Sequence, residues 1–153
     1  MKTDKKATAV DKALVDTMMT AIPLLPHKII SIQSIADAIG MTPARVMILL
    51  TLHDHPQTLS ELSHALNMVS SNTSPILRAM TENGLCERIH SETDRRKCIL
   101  KLTEKGEAVI ELIQQNIAQQ LRMWESRLTP SEIAEVETCL IRVLQVLNSS
   151  AKV

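Results

Sequence analysis

A chain of 153 residues with one Trp and neither Phe nor Tyr must build its interior from Leu, Ile, Val, Met and Ala. Aliphatic interiors of that kind suit helices packed on helices, and 44% hydrophobic residues are enough for a core. The length fits one compact domain, or one domain with an appendage. Only three Gly occur, which excludes a long Gly-rich phosphate loop. No apolar run approaches the roughly 18 residues that span a bilayer. The early cations Lys2, Lys5 and Lys6 are followed by Asp11, Lys12 and Asp16, which is not the pattern of a signal peptide. Three Cys at irregular spacing make no disulfide framework, so a reducing, cytoplasmic setting without a membrane partner is expected. With 17 basic and 17 acidic side chains the chain is neutral overall. That balance argues against massive nonspecific nucleic-acid binding, yet it leaves local basic surface open, because affinity for phosphate depends on where the cations sit.

Helix starts are legible. In "MTPARVMILLTL" Thr42 occupies an N-cap and Pro43 the first helical position, where a missing N–H costs nothing. Thr58 stands three residues before Glu61, a capping box, and Thr129, Pro130 and Glu132 repeat the device. Thr103 followed by Glu104 opens another helix, with the acid near the positive end of the dipole. Leu59, Leu62, Ala65 and Leu66 are expected on one face of a short helix. Asn67 to Ser70 reads as a tight turn, Asn being one of few residues besides Gly that tolerates the left-handed conformation. A second short helix follows, roughly Ser71 to Asn83, with Thr73, Leu77 and Met80 inward and Gly84 at its end. Two short helices joined by about four residues make a helix-turn-helix.

Next, "LCERIH", a six-residue polar turn and "KCILKL" predict a two-stranded hairpin, with Cys98, Leu100 and Leu102 on one face and Ile99 and Lys101 on the other. The expected class is therefore mainly α: a winged helix-turn-helix with a β-hairpin wing. The flanks carry surplus apolar surface. Val109, Leu112, Ile113, Ile117, Leu121, Trp124 and Leu128 trace a stripe along a helix over 104 to 127. Ile133, Val136, Leu140, Leu144 and Leu147 trace another. The apolar N-terminal segment is bent or broken by Pro23 and Pro26. A lobe of about 60 residues cannot cover so much apolar surface, and a second copy is the simplest partner. The expected division is 1–40 for N-terminal dimerisation, 41–104 for DNA binding, and 105–153 for linkage and dimerisation.

The motifs "TLSEL", "LRAMTENGLCER", "DRR" and "LTEKG", at their mutual intervals, resemble the winged-helix segment of MarR-type bacterial transcription regulators. The likeness is strong over about residues 42 to 106, and the order and length of the helices extend it along the chain. "SPILRAM" is closest to the branch whose recognition helix carries Pro in "TPLL". Members of that branch often sense hydroperoxides through an N-terminal Cys. Here the first Cys is Cys86 and the Tyr partners are absent, so that chemistry is not carried over. The resemblance implies a homodimer held by terminal helices, recognition helices in successive major grooves and wings in flanking minor grooves. It also implies a repressor released by a small-molecule effector.

The residues fit double-stranded DNA on their own terms. With Thr73, Leu77 and Met80 inward, Ser70, Ser71, Asn72, Ser74 and Arg78 face out, with Pro75 on or beside that face. Hydroxyl and amide groups at a helix N-terminus meet phosphates together with backbone N–H groups. Asn72 suits an adenine edge, and Arg78 a guanine or a phosphate. The plainer alternative for the Ser/Asn run is a helix cap. Arg95, Arg96 and Lys97 gather cations at the hairpin tip, suited to a narrow minor groove, with Asp94 pinning a neighbouring Arg. A solvated charged loop is the alternative. Ser60 and His64 lie on the outer side of the first short helix, as a phosphate contact or an ordinary solvated face.

Other constellations read as structural. His53, Asp54 and His55 lack further ligands at a metal-binding spacing and are expected in a loop. Cys98 follows three cations, so a redox role stands beside packing on a strand. Cys86 is not expected directly across from Cys98, and Cys139 is expected in the core. Met18, Met19, Met41 and Met47 are expected to fill the core, with an aliphatic, Met-lined effector pocket as the other reading. No catalytic constellation, cofactor loop or metal set emerges, so an enzyme is not expected. A winged helix serving only protein contacts, or a redox regulator acting through Cys98, are the alternatives to a DNA-binding regulator.

Overall fold

Five helix starts are closed by hydroxyl caps. In the computed structural model Ser31, Thr42, Thr58, Thr103 and Thr129 each accept a backbone N–H three residues on, at 3.1 to 3.4 Å. At Thr58 and Thr129 the third residue, Glu61 and Glu132, accepts the cap residue's own N–H at 2.7 Å, so both capping boxes are complete. The Thr129 N–H, together with the Thr129 hydroxyl donating to the same carboxylate oxygen at 2.8 Å, holds the Glu132 carboxyl below its ordinary range. The structure describes residues 12–21, 24, 30–90 and 98–150, without the side chains of Trp124 and 148–150.

Among the described residues there are seven helices and three strands. They are α1 (Lys12–Ala21), α2 (Ile32–Ala38), α3 (Pro43–Asp54), β1 (Gln57–Thr58) and α4 (Leu59–Ala65). Then come α5 (Ser70–Glu82), β2 (Cys86–His90), β3 (Cys98–Leu102), α6 (Glu104–Glu125) and α7 (Pro130–Ser150). Boundaries differ from the sequence expectation by one or two residues, the ordinary fraying of element ends. The bend expected at Pro23 and Pro26 lies outside the described residues.

Helices α4 and α5 form the helix-turn-helix. The turn is a Schellman closure: Asn67 adopts φ 50°, Asn67 N–H donates to His64 O at 3.0 Å, and Met68 N–H to Ser63 O at 2.8 Å. The core-facing set of α4 is corrected, however. Ala65 is exposed and Ser63 is buried. Leu59, Leu62, Ser63 and Leu66 follow the spacing of a single helical face, while Ala65 sits six positions from Leu59 and turns away. The Ser63 hydroxyl has no hydrogen-bond partner among the described residues.

The wing sheet gains a strand that the sequence did not announce. β1 pairs antiparallel with β3, which pairs antiparallel with β2, giving the order β1-β3-β2. Gln57 is buried there because its amide donates to Thr51 O at 2.9 Å. Ile35, Ile48, Leu49, Leu62, Leu77 and Met80 form the centre of one aliphatic core, closed by Leu100 and Leu102 from the sheet and Ile110 and Ile113 from α6. The stripe on α6 is thus shifted: Ile110 is buried while Leu112 is 46% exposed.

Three further expectations change. His53 and Asp54 close the last turn of α3 rather than a loop, and His53 Nδ1 lies 2.9 Å from Glu107 Oε2 on α6. Cys139 is exposed on α7, not buried, because α7 meets little of the lobe. Met18, Met19 and Met47 are exposed, and only Met41 of the four named packs against the core. No single described helix is long and apolar enough to cross a membrane.

The junction of wing and α6 yields a prediction. Ala normally stabilises a helix interior by about 1 kcal/mol over Gly. At Gly106 a Cβ would overlap the Leu85 carbonyl oxygen and crowd Leu102. Gly106→Ala is therefore expected to lower stability by about 1–3 kcal/mol despite its helix propensity. A denaturant titration reads the sign directly.

Candidate nucleic-acid interface

Helix α5 has two unlike faces. Thr73, Leu77 and Met80 are fully buried, while Ser70, Ser71, Asn72, Pro75 and Arg78 are exposed and Ser74 is half-buried. The buried triad fixes which way the helix is rolled, and so which side chains can reach outward. Pro75 lies inside the helix at its sixth residue.

The N-terminus of α5 is built unlike those of α2, α3, α4, α6 and α7. Its cap residue is Val69, and no side chain caps it. The Ser run therefore does not act as the cap. The Val69 carbonyl is instead held from below. Asn72 N–H donates to it at 2.8 Å, Thr73 N–H at 3.2 Å and the Thr73 hydroxyl at 3.3 Å. The end of the helix is rigid, and it presents a positive dipole end beside three short polar side chains. Val69 was not among the residues singled out in the sequence. It is 66% exposed and directly precedes Ser70.

One turn further on, Arg78 Nε donates to Glu82 Oε1 at 3.1 Å, with both side chains largely exposed. Such a pair contributes little stability in water. It does aim the guanidinium along the outer face. The acid that pins an arginine here is Glu82, a pairing the sequence reading assigned only to Asp94.

The wing brings Cys86 opposite Leu102, Ile89 opposite Ile99 and His90 opposite Cys98. Cys86 and Cys98 are therefore not a cross-strand pair. Lys101 Nζ lies 3.9 Å from Glu87 Oε1 on the outer face of the strands. Asp94, Arg95, Arg96 and Lys97 lie outside the described residues. Ser60 and His64 are exposed on α4, as expected for its outer side. Among the described residues no group of His, Cys, Asp and Glu is arranged to hold a metal ion. His55 Nδ1 instead sits 2.7 Å from Asp54 Oδ2.

The family model described as a winged helix DNA-binding domain matches residues 41–106. The HTH-type transcriptional regulator YsmB of Bacillus subtilis (strain 168) is 28% identical over 112 residues, covering 72% of this chain and 77% of that one. The organic hydroperoxide resistance transcriptional regulator of the same organism is 32% identical over 71 residues, 46% of this chain and 48% of that one. A MarR family protein from Bacillus stearothermophilus superposes with a TM-score of 0.75 at 24% identity, covering 92% and 99% of the two chains. The transcriptional repressor CouR, bound to a 23-mer DNA duplex, superposes with a TM-score of 0.57 at 22% identity, covering 95% and 98%.

Fold, motifs and the family match together define a winged-helix DNA-binding domain over residues 41–106. The chain is similar to HTH-type transcriptional regulators, and over 92% of its length it shares the fold of a MarR family protein.

The buried thiol at the base of the wing can be tested. Burial pushes the Cys86 thiol above its ordinary value of 9.0, against smaller opposing effects of the Thr81 hydroxyl, 3.4 Å from Sγ, and of Arg88. Below pH 9 the thiol is protonated in both folded and unfolded chains. As pH rises beyond that, the unfolded chain ionises first, and stability falls. Native Cys86 is expected to alkylate with iodoacetamide at pH 8 at least tenfold more slowly than in denaturant, because attack requires an exposed thiolate. Peptide mass mapping over time gives the ratio.

Proposed function

We propose that the chain is a homodimeric, ligand-responsive repressor that binds a palindromic operator and acts in the cytoplasm, where bacterial DNA lies. The observation that carries this reading is the roll of α5. Its fully buried Thr73, Leu77 and Met80 leave Ser70, Ser71, Asn72, Pro75 and Arg78 together on the open side, with Ser74 beside them. In this reading α5 enters the major groove. Ser70, Ser71 and Ser74 meet phosphates, Asn72 reads an adenine edge, and Arg78 meets a guanine or a phosphate. Arg95, Arg96 and Lys97 enter the adjacent minor groove, with Asp94 orienting one guanidinium. The solved CouR complex with duplex DNA supports a repressor of this architecture.

The dimer is supported by uncovered apolar surface. No residue of α1 is buried, and Leu14, Met18 and Met19 are exposed. On α7, Leu140, Val143, Leu144 and Leu147 are each more than half exposed. Helices in proteins draw most of their stability from packing an apolar face rather than from propensity, so these faces call for a covering surface. A second copy supplies the matching one. Residues 1–40 and 105–153 then form the dimer base, and 41–104 the DNA-binding lobe. Helix α6, 22 residues and about 33 Å long, spans a distance comparable to one turn of DNA. A small-molecule effector seated between base and lobe would alter that spacing.

Replacing Arg95 and Arg96 together by Ala is expected to weaken operator binding and reduce its salt slope by roughly one to two units. Anisotropy titrations at several salt concentrations measure this. An unchanged slope removes the wing from the interface. Deletion of residues 130–153 is expected to leave a monomer. Sedimentation of that truncated chain as a dimer would place the interface elsewhere.

A further inference from the structure

Val69 is an odd choice at a helix start. Ser, Thr, Asp and Asn are preferred there, and β-branched apolar residues rank among the poorest. Among the described residues this chain places a capping Ser or Thr before α2, α3, α4, α6 and α7. Before α5, the helix proposed to face DNA, no side chain caps the start. The Val69 side chain gains no burial in exchange, being 66% exposed. Its backbone is nevertheless fixed, with three donors on one carbonyl, two of them from the fully buried Thr73. A solvent-exposed isopropyl group, on a backbone fixed at its carbonyl, thus directly precedes Ser70, Ser71 and Asn72 at the start of the helix assigned to base reading.

We infer that Val69 is a specificity-determining residue that reads the C5-methyl group of a thymine in the major groove. Thymine alone among the four bases presents a methyl there, and apolar side chains are the groups that recognise it. A Ser or Asp in the same place would cap the helix, but it would offer that methyl a polar surface. The uncapped start also leaves the first N–H groups of α5 unclaimed by a side chain and directed at the backbone of the same DNA. This inference rests on the proposed entry of α5 into the major groove.

The test uses the full-length protein and a duplex enriched from a random pool by the wild type. Each thymine of that duplex is replaced in turn by deoxyuridine, which removes only the methyl group. Wild-type binding is expected to weaken about fourfold at one symmetry-related thymine pair per operator, the worth of roughly one buried methyl group. Val69→Ala and Val69→Ser should each lose the discrimination at that position. Val69→Ser should in addition raise Tm by about 2–4 °C by restoring a cap, whereas Val69→Ala should not. Wild-type affinity indifferent to every deoxyuridine substitution overturns the inference, as does discrimination kept by both variants. Failure of the pool to enrich any duplex would instead sink the operator-binding reading beneath it.

Discussion

At the root of the wing the chain backbone approaches itself too closely for a side chain to intervene. Gly106, in the first turn of α6, is seated against the Leu85 carbonyl. Thr103 ties the same place together. Its hydroxyl donates to Gly84 O at 2.6 Å, its N–H donates to Leu85 O at 3.2 Å, and it accepts Gly106 N–H at 3.1 Å. Lys105 adds a bond to Asn83 O at 2.9 Å. Four elements meet here: the end of α5, the start of β2, the end of β3 and the start of α6. The angle between α5 and the long helix α6 is set at this crossing. The junction therefore ties the orientation of α5 to that of α6.

Two other ties run from α6 to the lobe. The Gln120 amide oxygen accepts Ser31 N–H at 2.7 Å at the start of α2, and Glu107 pairs with His53 at the end of α3. Helix α6 is therefore fastened near both ends, with Ile110 and Ile113 buried between. Toward its C-terminal end Leu121 and Met123 are exposed, as are the apolar residues of α7. One helix thus belongs to the lobe on one side and to the proposed dimer base on the other. A neutral total charge suits this design. In the proposed reading it keeps sequence-independent attraction to DNA low, so that binding would rely on where a few polar groups are held.

Much of this was legible in short stretches of sequence. Caps at Thr42, Thr58, Thr103 and Thr129 and the turns at Asn67 and Gly84 depend on residues within about five positions of each other, so their signals are local. The inward triad of α5 followed from helical period alone. The errors came where partners are distant. Ser63 replaced Ala65 because a two-turn helix leaves little period to read. β1 is two residues long and has no pattern of its own; it exists because β3 offers it an edge. Cys139 was assigned to the core from apolar neighbours, but those neighbours line a helix that the lobe does not cover.

The sequence by itself determined the helix-turn-helix and its hairpin, the starts of α3, α4, α6 and α7, and which face of α5 turns inward, because hydrogen-bond caps and side-chain period act over a single turn. Only the tertiary structure decided that Gly106 must lack a side chain, that β3 offers β1 an edge, and that Val69 is left exposed at the start of α5. Those outcomes depend on how elements separated in the chain come to rest against one another. Packing in three dimensions sets that, and no local pattern encodes it.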